Sequence, residues 1–134
     1  MKLSWGEDYA VILMSKLTDN YQKRLIPLSE IAKEYKISYP FLKQLARILK
    51  KEGLIESKEG ITGGYKLSRQ PSKITLWNVV SSFEKKGLTN CCRSLDGKHT
   101  LSCPKELFCR TKTTWQKINQ EILVKLNSVT LDQL

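Results

Sequence analysis

The residues of this chain best suited to chemistry are its four cysteines. They lie within nineteen positions of one another, at Cys91, Cys92, Cys103 and Cys109, and the sequence has no others. Thiolates are soft ligands, and several of them close together outside a secretory context more often hold a metal centre than form disulfides. We therefore expect a metal site in this part of the chain.

Two other uses of these thiols stay open. Structural zinc sites usually contain CxxC pairs, which are absent here. A metal-free redox switch is the second alternative, because the adjacent Cys91 and Cys92 thiols can exchange with Cys103.

The chain carries a large excess of positive charge. It contains 23 Lys and Arg against 13 Asp and Glu, which gives a net charge of +10 and a pI near 9.5. Such an excess favours polyanionic partners, of which nucleic acid is the usual one. An anionic membrane is the competing partner, but no apolar run approaches a spanning length and the N-terminus lacks the features of a signal sequence. We expect a soluble, cytoplasmic protein with no membrane partner.

Three helices are predicted in the first 53 residues. Ser4 and Glu7 have the spacing of a capping box and open a first helix that extends to about residue 17 or 18. Pro27 leads into a second helix. Ser38 is expected to cap a third, which ends at Gly53 in a left-handed cap. The apolar face of the second helix is Leu28, Ile31 and Ala32, and that of the third is Phe41, Leu42, Leu45, Ile48 and Leu49.

A short hairpin follows the third helix. Residues 54–58 and 65–67 alternate as strands, and the glycines between 60 and 64 supply the turn. Helices followed by a hairpin in this order make a winged helix-turn-helix, so the expected fold is mainly α with a small β-hairpin wing. We place the winged DNA-binding domain at 1–83, including one more helix up to residue 83. A cysteine-containing loop follows at 84–110, and a dimerisation helix with the C-terminal tail at 111–134.

The final helix, from Lys105 or Thr111 to Ser128, predicts a homodimer. Its apolar residues fall nearly on one stripe, at Trp115, Ile118, Ile122, Leu126 and Val129. The stripe lies away from the winged core in the chain and needs a partner to bury it. Packing onto its own domain through the first helix is the alternative.

The third helix is expected to enter the major groove of double-stranded DNA. Its N-terminal residues would lie nearest the base edges, and the Gln and Arg side chains one turn further suit adenine and guanine. Lysines at its end would meet phosphate, and the wing would lie along the backbone or minor groove. The candidate residues are Ser38, Tyr39, Lys43, Gln44, Arg47, Lys50 and Lys51 on the helix, and Lys58, Thr62 and Lys66 on the wing. A homodimer would read a palindromic operator.

Several motifs taken together resemble one regulator family. They are Ile37-Ser38-x-x-Phe41-Leu42-x-Gln44-Leu45, Gly53-Leu54-Ile55, Gly63-Gly64-Tyr65-x-Leu67, Ile74-Thr75-Leu76 and the apolar run from Trp115 to Leu131. The chain resembles, over nearly its whole length, the Rrf-two type of iron–sulfur cluster regulators, the IscR-, NsrR- and CymR-like winged-helix transcription factors. The resemblance implies homodimers that cross through the C-terminal helix. The wing departs from the usual Gly-Pro-Gly-Gly-Gly-Tyr, and Glu59 stands where a wing arginine is common.

The resemblance also implies three cysteine ligands for an iron–sulfur cluster. Such clusters are typically anchored by three thiolates and one further ligand. Cys103 and Cys109 have the family's spacing, and the first ligand is Cys92 in preference to Cys91. A 4Fe–4S cluster is favoured over 2Fe–2S.

The fourth ligand is less obvious from the sequence. Lys112 occupies the position where some relatives have a ligand histidine. In the nitric-oxide-sensing type, an Asp from the first helix of the partner subunit completes the site, and Asp8 occupies the matching position. The loop residue His99 is another candidate. An ordinary role for Asp8 is a favourable interaction with the helix dipole.

The sequence thus predicts a homodimeric transcriptional repressor whose operator binding responds to nitric oxide, redox or iron status through a cluster. A cluster-free winged-helix regulator that responds to thiol oxidation, a metabolite or a protein partner is the first alternative. An iron–sulfur carrier is the second, although it would leave the winged segment and the positive charge without a purpose. An enzyme is not expected, because the chain has one histidine, no glycine-rich phosphate loop and no nucleophile elbow.

Overall fold

The computed structural model describes residues 4–84, 104–105 and 107–134. In this part of the chain the helices are α1 (Trp5–Asp19), α2 (Leu28–Tyr35), α3 (Tyr39–Lys51), α4 (Leu76–Val80) and α5 (Lys112–Ser128). An antiparallel hairpin of β1 (Ile55–Lys58) and β2 (Gly64–Leu67) lies between α3 and α4, and 3-10 turns span Pro71–Lys73 and Leu131–Gln133. The predicted fold, mainly α with a hairpin wing and a C-terminal helix, is confirmed.

The predicted capping box holds the first turn of α1. The Ser4 hydroxyl accepts a hydrogen bond from the Gly6 N–H at 3.2 Å, and the Ser4 N–H donates to the Glu7 carboxylate at 2.8 Å. These bonds satisfy polar groups that a helix start would otherwise leave without partners. The helix then buries one face in the core, formed by Ala10, Leu13, Met14 and Leu17.

The start of α3 differs in one detail from the prediction, and its end agrees. Ser38 stands at the cap position, but its side chain makes no capping hydrogen bond. Pro40 lies at the second helical position and has no N–H, so one of the two usual partners of a capping hydroxyl is missing. At the other end Gly53 has a φ of 73°. The Leu54 N–H donates to the Leu49 carbonyl at 3.0 Å, which closes a Schellman cap.

The buried face of α3 differs from the predicted one at its edge. Leu42, Leu45 and Leu49 are buried as expected, together with Ala46. Ile48 is exposed and Phe41 is half-buried, so the predicted face was too wide. The core that α3 covers is shared with α1, α2 and the wing.

The wing is fixed against the start of α2 as well as paired within itself. Ile55 pairs with Leu67 and Lys58 with Gly64 across the hairpin. On the other edge of β2, Tyr65 exchanges two backbone hydrogen bonds with Ile26, at 2.8 and 2.9 Å. A Cβ on Gly64 would lie 2.7 Å from the Ile26 backbone. This close approach explains why the sequence has glycine before Tyr65.

The C-terminal tail returns from α5 to the winged core. The Leu76 N–H donates to the Val129 carbonyl at 2.8 Å, and the Leu131 N–H donates to the Ile74 carbonyl at 3.0 Å. The Leu131 side chain is buried in the main core cluster. The division into units 1–83, 84–110 and 111–134 stays a prediction, but residues 130–134 pack with the first of these units.

Candidate nucleic-acid interface and metal centre

The outward side of α3 presents polar and basic side chains. The predicted DNA-binding residues of this segment are all exposed, namely Ser38, Tyr39, Lys43, Gln44, Arg47, Lys50 and Lys51. They lie opposite the buried leucines that fix α3 to the core. An amphipathic helix of this kind can meet a ligand with one face while the other stays packed. The geometry therefore suits insertion into a DNA groove.

A groove separates the start of α3 from the wing. Its lining includes Lys43, Lys50, Lys58 and Glu59, so positive groups outnumber negative ones. The Lys50 ammonium donates to the Ser57 hydroxyl at 2.6 Å and ties the end of α3 to β1. This contact gives Lys50 a structural role that sequence reasoning did not provide. On the wing, Lys58, Thr62 and Lys66 are exposed, and Lys66 pairs with Glu56 at 3.5 Å.

Of the predicted cysteine ligands, the structure describes Cys109. It lies three residues before α5 and is half-buried. The Thr111 hydroxyl lies 3.3 Å from its Sγ. Hydrogen bonds from the side chain and backbone of Thr111, with the nearby charge of Lys105, lower the pKa of the Cys109 thiol. A lowered pKa raises the fraction of thiolate, which is the form that binds metal.

Asp8 lies on the exposed side of the first turns of α1. Within the part of the chain that the structure describes, its carboxylate makes no hydrogen bond or ion pair. Glu7, its neighbour, is instead buried in the capping box. The Asp8 carboxylate is therefore available to a ligand or to a second protomer.

The predicted cluster ligands are not all within the described residues. Cys91, Cys92 and Cys103 lie outside them, as does His99. Among residues 4–84, 104–105 and 107–134, no three His, Cys, Asp or Glu side chains come together. Lys112, at the position of a ligand histidine in some relatives, is the first residue of α5. The ligand set therefore stays a prediction.

An aromatic contact joins α1 to α3 beside Asp8. The Tyr9 and Phe41 rings meet edge to face, with centroids 5.8 Å apart, and Trp5 packs on Tyr9 at 5.6 Å. Sequence reasoning assigned Phe41 to the core and gave Tyr9 no partner, because residues 32 positions apart offer no periodic signal.

The apolar stripe of α5 is only partly covered. Trp115, Ile118, Ile122 and Leu126 are all half-buried. The helix packs against α4 of its own chain. Asn119 is its fully buried residue. No helix among the described residues is long and apolar enough to cross a membrane.

Comparison with known proteins decides what kind of protein carries this winged fold. A family model described as "Rrf2: Iron-dependent Transcriptional regulator" matches residues 3–134. The chain belongs to the Rrf2 family. It is therefore a DNA-binding transcriptional regulator and not an enzyme.

Individual Rrf2 relatives agree with this assignment. The HTH-type transcriptional regulator IscR of Pectobacterium carotovorum is 31% identical over 134 residues, which is all of this chain and 79% of the relative. Among solved structures, T. potens IscR superposes with a TM-score of 0.76 at 28% identity, covering 99% of this chain and 85% of that one. The oxidised form of Staphylococcus aureus CymR has a TM-score of 0.76 at 26% identity, covering 99% and 94%.

Proposed function

We propose that this Rrf2 protein is a cytoplasmic, homodimeric repressor whose operator affinity is set by an iron–sulfur cluster. The observation that carries the proposal is the position of Cys109 just before α5, with its Sγ 3.3 Å from the Thr111 hydroxyl, in a chain whose α3 presents a basic outer face. The nitric-oxide, redox or iron signal would act on the cluster, and α3 would carry the response to DNA.

The DNA contacts divide into specificity and affinity. Gln44 and Arg47 point away from the core on α3, and these side chains suit adenine and guanine edges. Ser38, Tyr39 and Lys43 precede them at the start of the helix. Lys50, Lys58 and Thr62 stand around the groove and wing, where phosphate contacts would supply affinity without sequence preference.

The described ligands fit the chemistry of a cluster. The pKa of the Cys109 thiol is lowered, and the Asp8 carboxylate has no partner among the described side chains. We infer that Cys92, in preference to Cys91, with Cys103 and Cys109 of one protomer and Asp8 of the partner subunit hold a 4Fe–4S or, less favoured, a 2Fe–2S cluster. When bound, it supplies a centre that reacts with nitric oxide and oxidants.

Helix α1 would couple the cluster to the DNA-binding helix α3. Tyr9, next to Asp8, packs on Phe41 in the first turn of α3. A force on Asp8 from the partner subunit would therefore reach the start of the recognition helix through one ring contact. Release of Asp8 would change how the two α3 helices of a dimer are spaced.

The dimer itself is proposed from α5. Its stripe of Trp115, Ile118, Ile122 and Leu126 stays half-exposed in one chain. A second copy of the same helix would cover this stripe. Two α3 helices could then address half-sites about 34 Å apart on a palindromic operator.

A metal-free thiol switch is the second candidate function. It is favoured by the same lowered pKa of Cys109, since thiolates are the reactive form in disulfide exchange. The similarity to a solved oxidised form of CymR also supports it.

The anaerobic visible spectrum, with iron and sulfide analysis, separates the two candidates. Freshly isolated wild-type protein should be coloured and contain acid-labile sulfide, and Cys109→Ala should lose most of the colour while remaining folded and dimeric. Ser102→Ala is a matched control in the same segment and should keep the colour. Colourless, sulfide-free wild-type protein would leave the thiol switch as the function.

A further inference from the structure

The tip of the wing carries an apolar side chain that the proposed DNA contacts do not use. Ile61 lies between Gly60 and Thr62 and is fully exposed, at 107% of its reference area. It exceeds every other large apolar residue of the described chain in exposure. Single exposed apolar residues are common on protein surfaces, so the significance of Ile61 depends on where it is held.

The wing holds its tip in a defined position. The Gly63 N–H donates to the Gly60 carbonyl at 3.0 Å and closes the turn around Ile61. A Cβ on Gly63 would lie 2.2 Å from the Lys58 carbonyl oxygen, so the two arms of the turn touch through backbone. The base of the hairpin is braced by the Lys50–Ser57 hydrogen bond on one side and the Tyr65–Ile26 pairing on the other. Ile61 therefore lies at the tip of a hydrogen-bonded turn whose base is held on both sides.

The surroundings of the tip are those of a DNA-binding surface. On the wing, the groove between α3 and the hairpin is lined by Lys58, Gly60 and Gly63 but not by Ile61 or Thr62. These two residues therefore project beyond the groove. With α3 in a major groove, the wing would lie along the adjacent backbone or minor groove. Proteins that bind the minor groove frequently insert apolar side chains, isoleucine among them, between base steps and partly unstack them. Pyrimidine–purine steps yield most easily to such insertion.

We propose that Ile61 is a specificity-determining residue that enters the minor groove at a flexible TA or CA/TG step. The inference rests on the proposed placement of α3 and the wing on DNA. Ile61 adds a preference for easily deformed base steps to the sequence preference that the base contacts of α3 provide. Isoleucine carries no charge and cannot bind phosphate. Its contribution to DNA affinity is therefore apolar and independent of salt concentration.

Selection from a random duplex library tests this role. Wild-type protein should select a palindrome with a TA or CA/TG step outside the positions under α3. Ile61→Ala should keep the α3 positions, lose the step preference and bind the wild-type site on the order of fifty-fold more weakly, because three buried carbons are removed. The salt dependence should stay unchanged, since no phosphate contact is lost.

Matched variants separate the outcomes. Ile61→Val should behave almost as wild type, and Arg47→Ala should alter positions under α3 while keeping the step. Thermal unfolding of Ile61→Ala should match wild type, since the side chain is fully exposed. Identical motifs and affinities for wild type and Ile61→Ala, or an equal loss on all duplexes, would overturn the inference. A wild-type protein that selects no motif would overturn the proposed function together with it.

Discussion

Asp8 is the residue at which an ordinary and a functional role can be separated. An acidic side chain in the first turn of a helix interacts favourably with the helix dipole, which contributes about 0.3–1 kcal/mol. If Asp8 is a cluster ligand, the protein instead needs its carboxylate to retain the cluster. Asp8 is exposed, and its carboxylate is without a partner in the described chain.

We expect Asp8→Asn to reduce the cluster content of anaerobically isolated protein several-fold, because a neutral amide is a poor ligand for iron. The free energy of unfolding should fall by less than about 1 kcal/mol. Asp19→Asn, an exposed carboxylate at the other end of α1, is the control and should leave the cluster intact. Iron and sulfide per dimer give the measurement. Equal cluster content in Asp8→Asn and wild type would restrict Asp8 to the dipole role.

Residue-level prediction from the sequence succeeded where a local pattern existed. The capping box at Ser4 and Glu7 and the left-handed Gly53 follow from spacing alone, and both are confirmed. The cap at Ser38 was wrong in its hydrogen bond because Pro40 removes a donor. The Lys50–Ser57 contact was not predicted, since it depends on how the wing lies against α3.

At the scale of elements, α1 and α3 form the unit that would transmit a signal. Tyr9 and Phe41 meet edge to face at 5.8 Å. A contact of this kind contributes about 0.5–1.5 kcal/mol beyond its buried area. That energy is comparable to the coupling between sites in regulated proteins, which is typically about 1–3 kcal/mol.

Tyr9→Leu should therefore weaken the coupling without removing the cluster. The variant keeps an apolar side chain but loses the ring contact with Phe41, so cluster-loaded and cluster-free forms should differ less in operator affinity than they do in wild type. Tyr21→Leu replaces another half-buried aromatic residue on the same core and serves as the control for lost stability. Binding titrations of both forms of each variant supply the numbers. A Tyr9→Leu protein with the full wild-type difference would show that the ring contact carries no coupling.

The wing shows what a sequence can and cannot reveal about an element. Glycines and alternating residues predicted the hairpin, and the strands agree with the prediction to within one residue. The pairing of Tyr65 with Ile26 was not predicted. Ile26 precedes a helix and has no strand pattern, so only the folded arrangement brings these residues together.

The whole molecule combines a winged core with a C-terminal helix, α5, whose apolar stripe is only partly covered within one chain. The winged fold could be predicted because amphipathic periods and turn residues followed one another in a known order. The path of the tail could not, because Leu131 reaches the core only after the chain has passed through α5. This return anchors the C-terminal end of α5 through the Leu76–Val129 hydrogen bond, and α4 packs against the helix.

Anchoring of α5 matters for the proposed mechanism. If α5 forms the dimer interface, a change at Cys109 near its N-terminal end would act on the helix that joins the two DNA-binding domains. The described residues attach the C-terminal end of α5 to the winged core of its own chain, and the cysteine segment would supply the signal.

Operator affinity of the same protein with and without its cluster is the sharpest test of cluster-controlled DNA binding. Anaerobically reconstituted and cluster-free wild-type dimers should be titrated against the selected palindrome at one salt concentration. If the cluster controls DNA binding, the two affinities should differ on the order of tenfold or more. Equal affinities in the two states would contradict it and reduce the protein to a dimeric operator binder whose thiols do not control DNA.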